Sequence, residues 1–233
     1  MSDIASHLDT VRQRIEQAAR DAHRPTSSVV LMAVSKTFPA EAIRDAHAHG
    51  QTEFGESYLQ EALQKMDALA DLRASITWHF IGPVQSNKTR PIAERFDWIH
   101  SVDRLKIAER LSAQRPDDLA PLNVCIQVNI SGETTKSGLA TEAVRTLAND
   151  IAKLPRLRLR GLMAIPEPVG TLEQQREPHH QLHALFEHLR ADGHALDTLS
   201  MGMSGDLEAA VLEGATIVRV GTAVFGGRDY ATH

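Results

Sequence analysis

A single TIM (β/α)8 barrel, one domain over residues 1–233, is the fold this sequence predicts, and three observations predict it. Short apolar runs alternate with amphipathic helical stretches eight times. Runs such as Val29–Val34 carry no polar residue, the habit of parallel strands covered by helices. No linker, composition shift or low-complexity tract breaks the alternation, as expected of one α/β unit.

In chain order, Ile4, Leu8, Val11, Ile15 and Ala18/Ala19 fall on one stripe, which makes Asp3–Ala22 an amphipathic opening helix. Val29–Val34 is the first strand. Thr37 is placed to cap the next helix and Pro39 to enter its first turn, with Ala40–His49 closed by Gly50. Thr52–Phe54 is a second strand, followed by a helix with Leu59, Ala62, Leu63 and Met66 inward and the Tyr58 ring buried. Ile76–Ile81 is the third strand, and Pro91 opens a helix carrying Ile92, Ala93 and Phe96. Trp98–His100 is the fourth, with Asp103 capping a helix to about Leu111. Asn123–Ile130, Arg158–Ala164, Thr198–Met201 and Thr216–Val220 complete the strands, with helices over Glu142–Leu154, Pro178–Ala191 and Asp206–Glu213 between them. Only Gly221–His233 follows the eighth strand, so the opening helix is the substitute that covers the eighth position.

The totals exclude several classes. A net charge of −5 without basic blocks argues against a nucleic-acid surface. Met1–Arg20 is charged throughout and lacks the apolar segment of a secretory signal, and no run has membrane-spanning length. The lone Cys125 lies in an apolar run and reads as a small core residue. A cytoplasmic monomer without membrane or nucleic-acid partners is the expectation.

In this fold, chemistry gathers where strands hand over to helices. Lys36 stands at the first such point, where a desolvated amine can attack an aldehyde. The seventh and eighth strand ends, Met201-Gly-Met-Ser-Gly205 and Arg219-Val-Gly-Thr222, are rich in glycine and hydroxyls. Ser204 precedes a helix start and Gly221–Thr222 follows the last strand, the usual phosphate position of the barrel. Arg219 lies inside an apolar strand, where an unpaired guanidinium is costly. Two roles fit it: an ion pair with Glu53 or Glu208, or a donor to the ring nitrogen of a heterocycle, which it would keep unprotonated and so a poor electron sink.

Taken in order, Ala33-Val-Ser-Lys-Thr37, Phe54-Gly-Glu56, Trp78-His-Phe-Ile-Gly-Pro-Val-Gln-Ser-Asn-Lys88, Gly161-Leu-Met-Ala-Ile165, Met201-Gly-Met-Ser204 and Arg219-Val-Gly-Thr-Ala-Val-Phe-Gly226 closely resemble the pyridoxal phosphate homeostasis proteins. The resemblance runs from Leu31 to Tyr230. It implies a barrel like the N-terminal domain of alanine racemase, with pyridoxal 5'-phosphate (PLP) held as an internal aldimine. It implies Lys36 as the Schiff-base lysine, Ser204, Gly221 and Thr222 at the phosphate, and Arg219 at the pyridine nitrogen. Ile81, Met163 and Met203 would line the ring pocket, with His79 nearby. The implied role is to bind and supply PLP, with apo PLP-dependent enzymes as recipients and no catalytic reaction. One departure stands out: the family usually has Asn after Phe-Gly-Glu, where this chain has Ser57, a shorter side chain at a cofactor-facing position. The competing function is a PLP-dependent amino-acid racemase, which needs bases on both faces of the substrate carbon, and Lys36 supplies one. A Schiff-base aldolase without cofactor is the third.

Two further motifs carry less weight. Pro178–His183 has histidine spacings that metal sites use on helices, but no HExxH glutamate or cysteine accompanies it, and a solvated helix face accounts for it. Ser131–Gly138 lacks the P-loop spacing and reads as a lid-like connection, with Lys136 a second candidate for PLP.

Overall fold

The structure is a computed structural model that describes residues 3–132 and 137–227. Its strands are β1 (Val30–Val34), β2 (Glu53–Glu56), β3 (Thr77–Phe80), β4 (Trp98–Val102), β5 (Leu122–Gln127), β6 (Leu157–Met163), β7 (Thr198–Ser200) and β8 (Ile217–Val220). They pair in sequence order, all parallel, and β8 closes on β1, with Met32 opposite Arg219. The barrel that alternation predicted is therefore present. Val30 departs from the prediction of a doubly buried strand: at the N-terminal rim its side chain is exposed.

The helices are α1 (Asp3–Asp21), α2 (Ala40–Ala48), α3 (Leu59–Ala68), α4 (Thr89–Arg95), α5 (Leu105–Gln114), α6 (Thr141–Ile151), α7 (Leu172–Ala191), α8 (Leu207–Leu212) and α9 (Thr222–Phe225). Helix α1 buries Leu8, Val11, Ile15, Ala18 and Ala19 against α2, α8 and α9. It packs beside the four-residue α9, on the part of the barrel that β8 and β1 close. Burying that stripe removes several aliphatic side chains from water, each contributing roughly 1.5–3 kcal/mol.

Local signals misled at several boundaries, α4 among them, which starts at Thr89 rather than at Pro91. Thr37 does not cap α2: it has a left-handed φ of 70°, and the N-cap is Pro39. Asp103 makes no capping bond to α5, whose N-cap is Arg104. Helix α7 begins six residues before Pro178, because Thr171 and Gln174 form a reciprocal capping box further upstream. Tyr58 is exposed at the N-cap of α3 rather than buried on it; Lys65 takes the inward position instead.

Candidate functional site at the strand ends

Strand parity sets which residues look into the barrel. A Cβ on Gly55 would strike Met32 Sδ at 2.6 Å and Ile81 Cδ1 at 3.3 Å, so Met32, Gly55 and Ile81 share the interior. Lys36, two pairs of residues beyond Met32, continues that face past the end of β1 and is half-buried. Ser35 and Glu56 point the opposite way, towards α3, where Ser35 Oγ donates to Glu56 Oε1 at 2.6 Å.

The turn carrying Lys36 is held from both sides by that outer cluster. Lys65 Nζ donates to the Ser35 carbonyl at 2.7 Å and to Glu56 Oε1 at 2.8 Å, and it also bonds Glu61 Oε1. The Thr37 amide donates to Glu61 Oε1 at 2.6 Å. Backbone groups before and after Lys36 are thereby fixed by one lysine and two carboxylates. The strained φ of Thr37 persists because these bonds over-determine it. Burial raises the Glu56 carboxyl above its ordinary value, opposed by Lys65, and its Oε2 is buried without a hydrogen-bond partner among the described residues. Next along the chain, Phe38 stacks on Phe225 of α9 at 5.1 Å, tying the β1 loop to the β8 loop.

Arg219 is buried in β8. Neither acid foreseen as its partner reaches it: Glu208 pairs with Arg14 at 2.7 Å, and Glu53 with His79 at 2.7 Å. Its Nη1 donates to Ser200 Oγ and its Nη2 to the Ala164 carbonyl, both at 2.9 Å. These are neutral acceptors, and burial lowers the guanidinium to a pKa of about 10. The two bonds use two of its five N–H donors. Ala164 immediately follows β6, so the guanidinium spans from β8 to the C-terminal end of β6.

His79 is buried, and both ring nitrogens are engaged, Nε2 with Glu53 and Nδ1 with His100 Nε2 at 2.9 Å. It therefore meets a ligand only by its ring or through its partners. His100, which the sequence reading did not single out, lies within 2.8 Å of Ser200 Oγ. Burial, then the neighbouring His79 and the Arg219 charge, hold His100 well below the ordinary imidazole pKa. The signal for His100 was there: in β4 it alternates with Ile99 and Ser101 as an inward-facing residue.

The other residues named from the sequence lie on the same rim. Ile81 is half-buried beside Gly55, and Met163 is buried at the end of β6. Ser57 is half-buried, with its carbonyl where a Cβ on Gly82 would sit, so glycine alone lets the β2 and β3 loops meet. Gly221 brings the β8 end within close range of Val34, where an added Cβ would lie 3.2 Å from the Val34 carbonyl oxygen. Thr222 is exposed and starts α9, with its amide ahead of the first helical bonds.

Ser204 is half-buried and does not cap α8. Asp206 is the N-cap residue, its Oδ1 accepts the Met203 amide at 2.7 Å, and the Ser204 carbonyl accepts from Arg14 at 3.0 Å. Asp206 Oδ2 also accepts from His179 Nε2 at 2.9 Å. Burial would raise this carboxyl, but the His179 and Met203 bonds prevail and hold it below its ordinary value. The histidine cluster is a solvated face only in part: His180 is exposed, but His179 is buried against Asp206, and His180 and His183 bond Glu213. No group of three or more candidate metal ligands occurs among the described residues. Met203 and Asp206 border a cavity of about 330 Å³ with Pro166, Val169 and Gln175. Cys125 is buried and its thiol is pushed up to about 12, which makes it inert. Lys136 lies outside the described residues.

A family model described as alanine racemase, N-terminal domain, matches residues 6–229. The pyridoxal phosphate homeostasis protein of Pseudomonas aeruginosa is 60% identical over 99% of this chain and 98% of its own length. That of Escherichia coli K12 is 51% identical, covering 99% of each. The chain belongs to the pyridoxal phosphate homeostasis protein family. Among solved structures, PipY of Synechococcus elongatus with PLP bound is 39% identical with a TM-score of 0.83, covering 96% of this chain and all of that one. Alanine racemase of Corynebacterium glutamicum is 18% identical with a TM-score of 0.69, and the match covers 99% of this chain but 62% of that protein. That likeness concerns the barrel. No described helix is long and apolar enough to cross a membrane.

Proposed function

We propose that this chain binds PLP at the C-terminal strand ends and serves in its homeostasis as a carrier, without a catalytic cycle of its own. The observation that carries the reading is Arg219, a buried guanidinium bonded only to neutral acceptors among the described residues, beneath the same rim as Lys36. A neutral ring nitrogen is an acceptor that such a donor suits without a carboxylate to neutralise it. The PLP-bound PipY relative and the names of the curated relatives support the same ligand.

The donor set fits the cofactor. When bound, PLP supplies an aldehyde that condenses with an amine, and Lys36 is the amine at the rim. Ser204, Gly221 and Thr222 would hold the phosphate through hydroxyls and amides. Ile81, Met163 and Met203 would wall the ring, and Ser57 would stand at its edge with a hydroxyl. The rim lies open to solvent at Thr222 and Gly205, which suits a cofactor that must leave again. Apo PLP-dependent enzymes are the recipients we infer, and a monomer in the cytoplasm is the working state.

The test is the visible spectrum after adding PLP, for the wild type and Lys36→Ala, followed by borohydride reduction and peptide mapping. A yellow band trapped on Lys36 and lost in the variant supports the reading. Absence of the band, or its survival in Lys36→Ala, overturns it. Robust alanine or serine racemisation by the PLP-loaded protein would replace the carrier with an enzyme.

A further inference from the structure

Glu53, His79, His100, Ser200 and Arg219 come from β2, β3, β4, β7 and β8, and hydrogen bonds join them in one unbroken line. The step from His100 to Ser200 links strands that are not neighbours, so the line crosses the barrel interior. Its two ends have fixed chemistry. Arginine only donates, and an ionised glutamate only accepts.

Those ends dictate every proton between them. Glu53 accepts from His79 Nε2, so a neutral His79 has its lone pair on Nδ1. His79 Nδ1 then accepts from His100 Nε2, which leaves His100 Nδ1 as an acceptor. Ser200 must donate its hydroxyl proton to that nitrogen, and its oxygen accepts from Arg219 Nη1. Each donor meets one acceptor, with both imidazoles neutral. A proton added to His79 would turn Nδ1 into a donor, reverse His100 and deprive the Ser200 proton of its acceptor.

Burial and the neighbouring Arg219 keep His100 neutral. Glu53 and His100 face His79, while His79, Ser200 and Arg219 face His100. Trp98 stacks on His79 at 5.5 Å, and on Trp98 lies Arg160, itself paired with Asp197. Glu53 alone in the line reaches water. It borders two cavities of about 250 and 580 Å³ at the N-terminal rim, opposite Lys36.

We propose that Glu53, His79, His100 and Ser200 are positioning residues for Arg219, forming a relay directed from Arg219 to Glu53. The relay fixes the guanidinium beneath the cofactor ring and makes the far rim of the barrel felt at the ring nitrogen. This rests on PLP being the ligand, as proposed above.

The test has two arms. In the first, nitrogen NMR of the histidine-labelled apo-protein at neutral pH, assigned with His79→Gln and His100→Gln, reads the tautomers without any cofactor. Nε2–H at both residues is expected; Nδ1–H or a doubly protonated ring at either overturns the proposal. In the second arm, Ser200→Ala and Glu53→Gln are loaded with PLP. Ser200→Ala should weaken PLP binding about tenfold and Glu53→Gln about threefold. Both should shift the pH profile of the visible band while Lys36 is still trapped by borohydride. Glu53→Gln retains an acceptor for His79 at a partly exposed position, so it decides the matter if Ser200→Ala fails to fold. A purely structural line would lower the melting temperature and leave the Glu53→Gln pH profile unmoved, and that result overturns the proposal. Loss of the band in the wild type would instead sink the PLP reading, with the tautomers still measurable.

Discussion

Two cations serve one rim, and the barrel supports them in opposite ways. The turn of Lys36 is clamped from outside by charge: Lys65 lies between Glu56 and Glu61, and all three bond groups flanking the turn. Arg219 is supported from inside by neutral groups, a serine hydroxyl and a carbonyl. The two carboxylates near Lys36 both bond Lys65, so one ammonium is shared between two acids in the clamp. The acid nearest in line to Arg219 is two imidazoles and a hydroxyl away. A carboxylate in direct contact would satisfy the guanidinium and compete with a ring nitrogen for it.

This contrast can be broken experimentally, beginning with the clamp. Lys65→Met leaves the buried Glu56 carboxylate uncompensated and should cost about 3–5 kcal/mol in chemical denaturation. A loss below about 1 kcal/mol would mean that the clamp is not the buried ion pair described. Arg219→Met should cost far less, about 1–2 kcal/mol, because it strands only a hydroxyl and a carbonyl. PLP affinity should nevertheless fall about tenfold. Equal stability losses for the two variants would erase the distinction.

The Asp206 carboxyl gives a pH signature. Its folded pKa lies below the ordinary 3.8, so its contribution is full above that value and is lost as pH falls through the folded pKa. Asp206→Asn should therefore flatten the acid limb of stability by about 1 kcal/mol, read from denaturation midpoints against pH. The smallest effect belongs to Thr37→Gly. Relief of its left-handed φ, offset by the entropy of glycine, should raise stability by about 0.5 kcal/mol. A loss of stability would show that the turn is not strained.

The barrel was legible because apolar runs and helical stripes report burial directly. The rim positions of Lys36, Ser204 and Thr222 were legible because an apolar run ends just before Lys36 and glycine adjoins Ser204 and Thr222. What escaped were polar residues buried in pairs. Lys65 looked like a solvent-facing helix position between Ala62 and Met66, since nothing local reveals that Glu56 and Glu61 await it. His100 and Ser200 sat in strands read only as apolar runs, and their partnership spans 100 residues of chain. The capping box at Thr171 was visible as a spacing, but Pro178 is also a common helix opener and obscured it. His179 looked solvated because its acid, Asp206, stands on another helix boundary.

The place of α1 has a consequence for how the chain becomes a barrel. Helix α1 packs on α8 and α9, and β1 finds one of its two neighbours in β8, so these segments have to wait for partners about 200 residues further along the chain. His7 even bonds the carbonyl of Val224 at 3.1 Å, 217 residues away. During synthesis the part of the α1 stripe that packs on α8 and α9 has no cover until those helices emerge, while α2 covers the rest earlier. Closure is then a late, long-range step that joins both ends of the sheet at once, and folding of this chain should be slow and strongly cooperative.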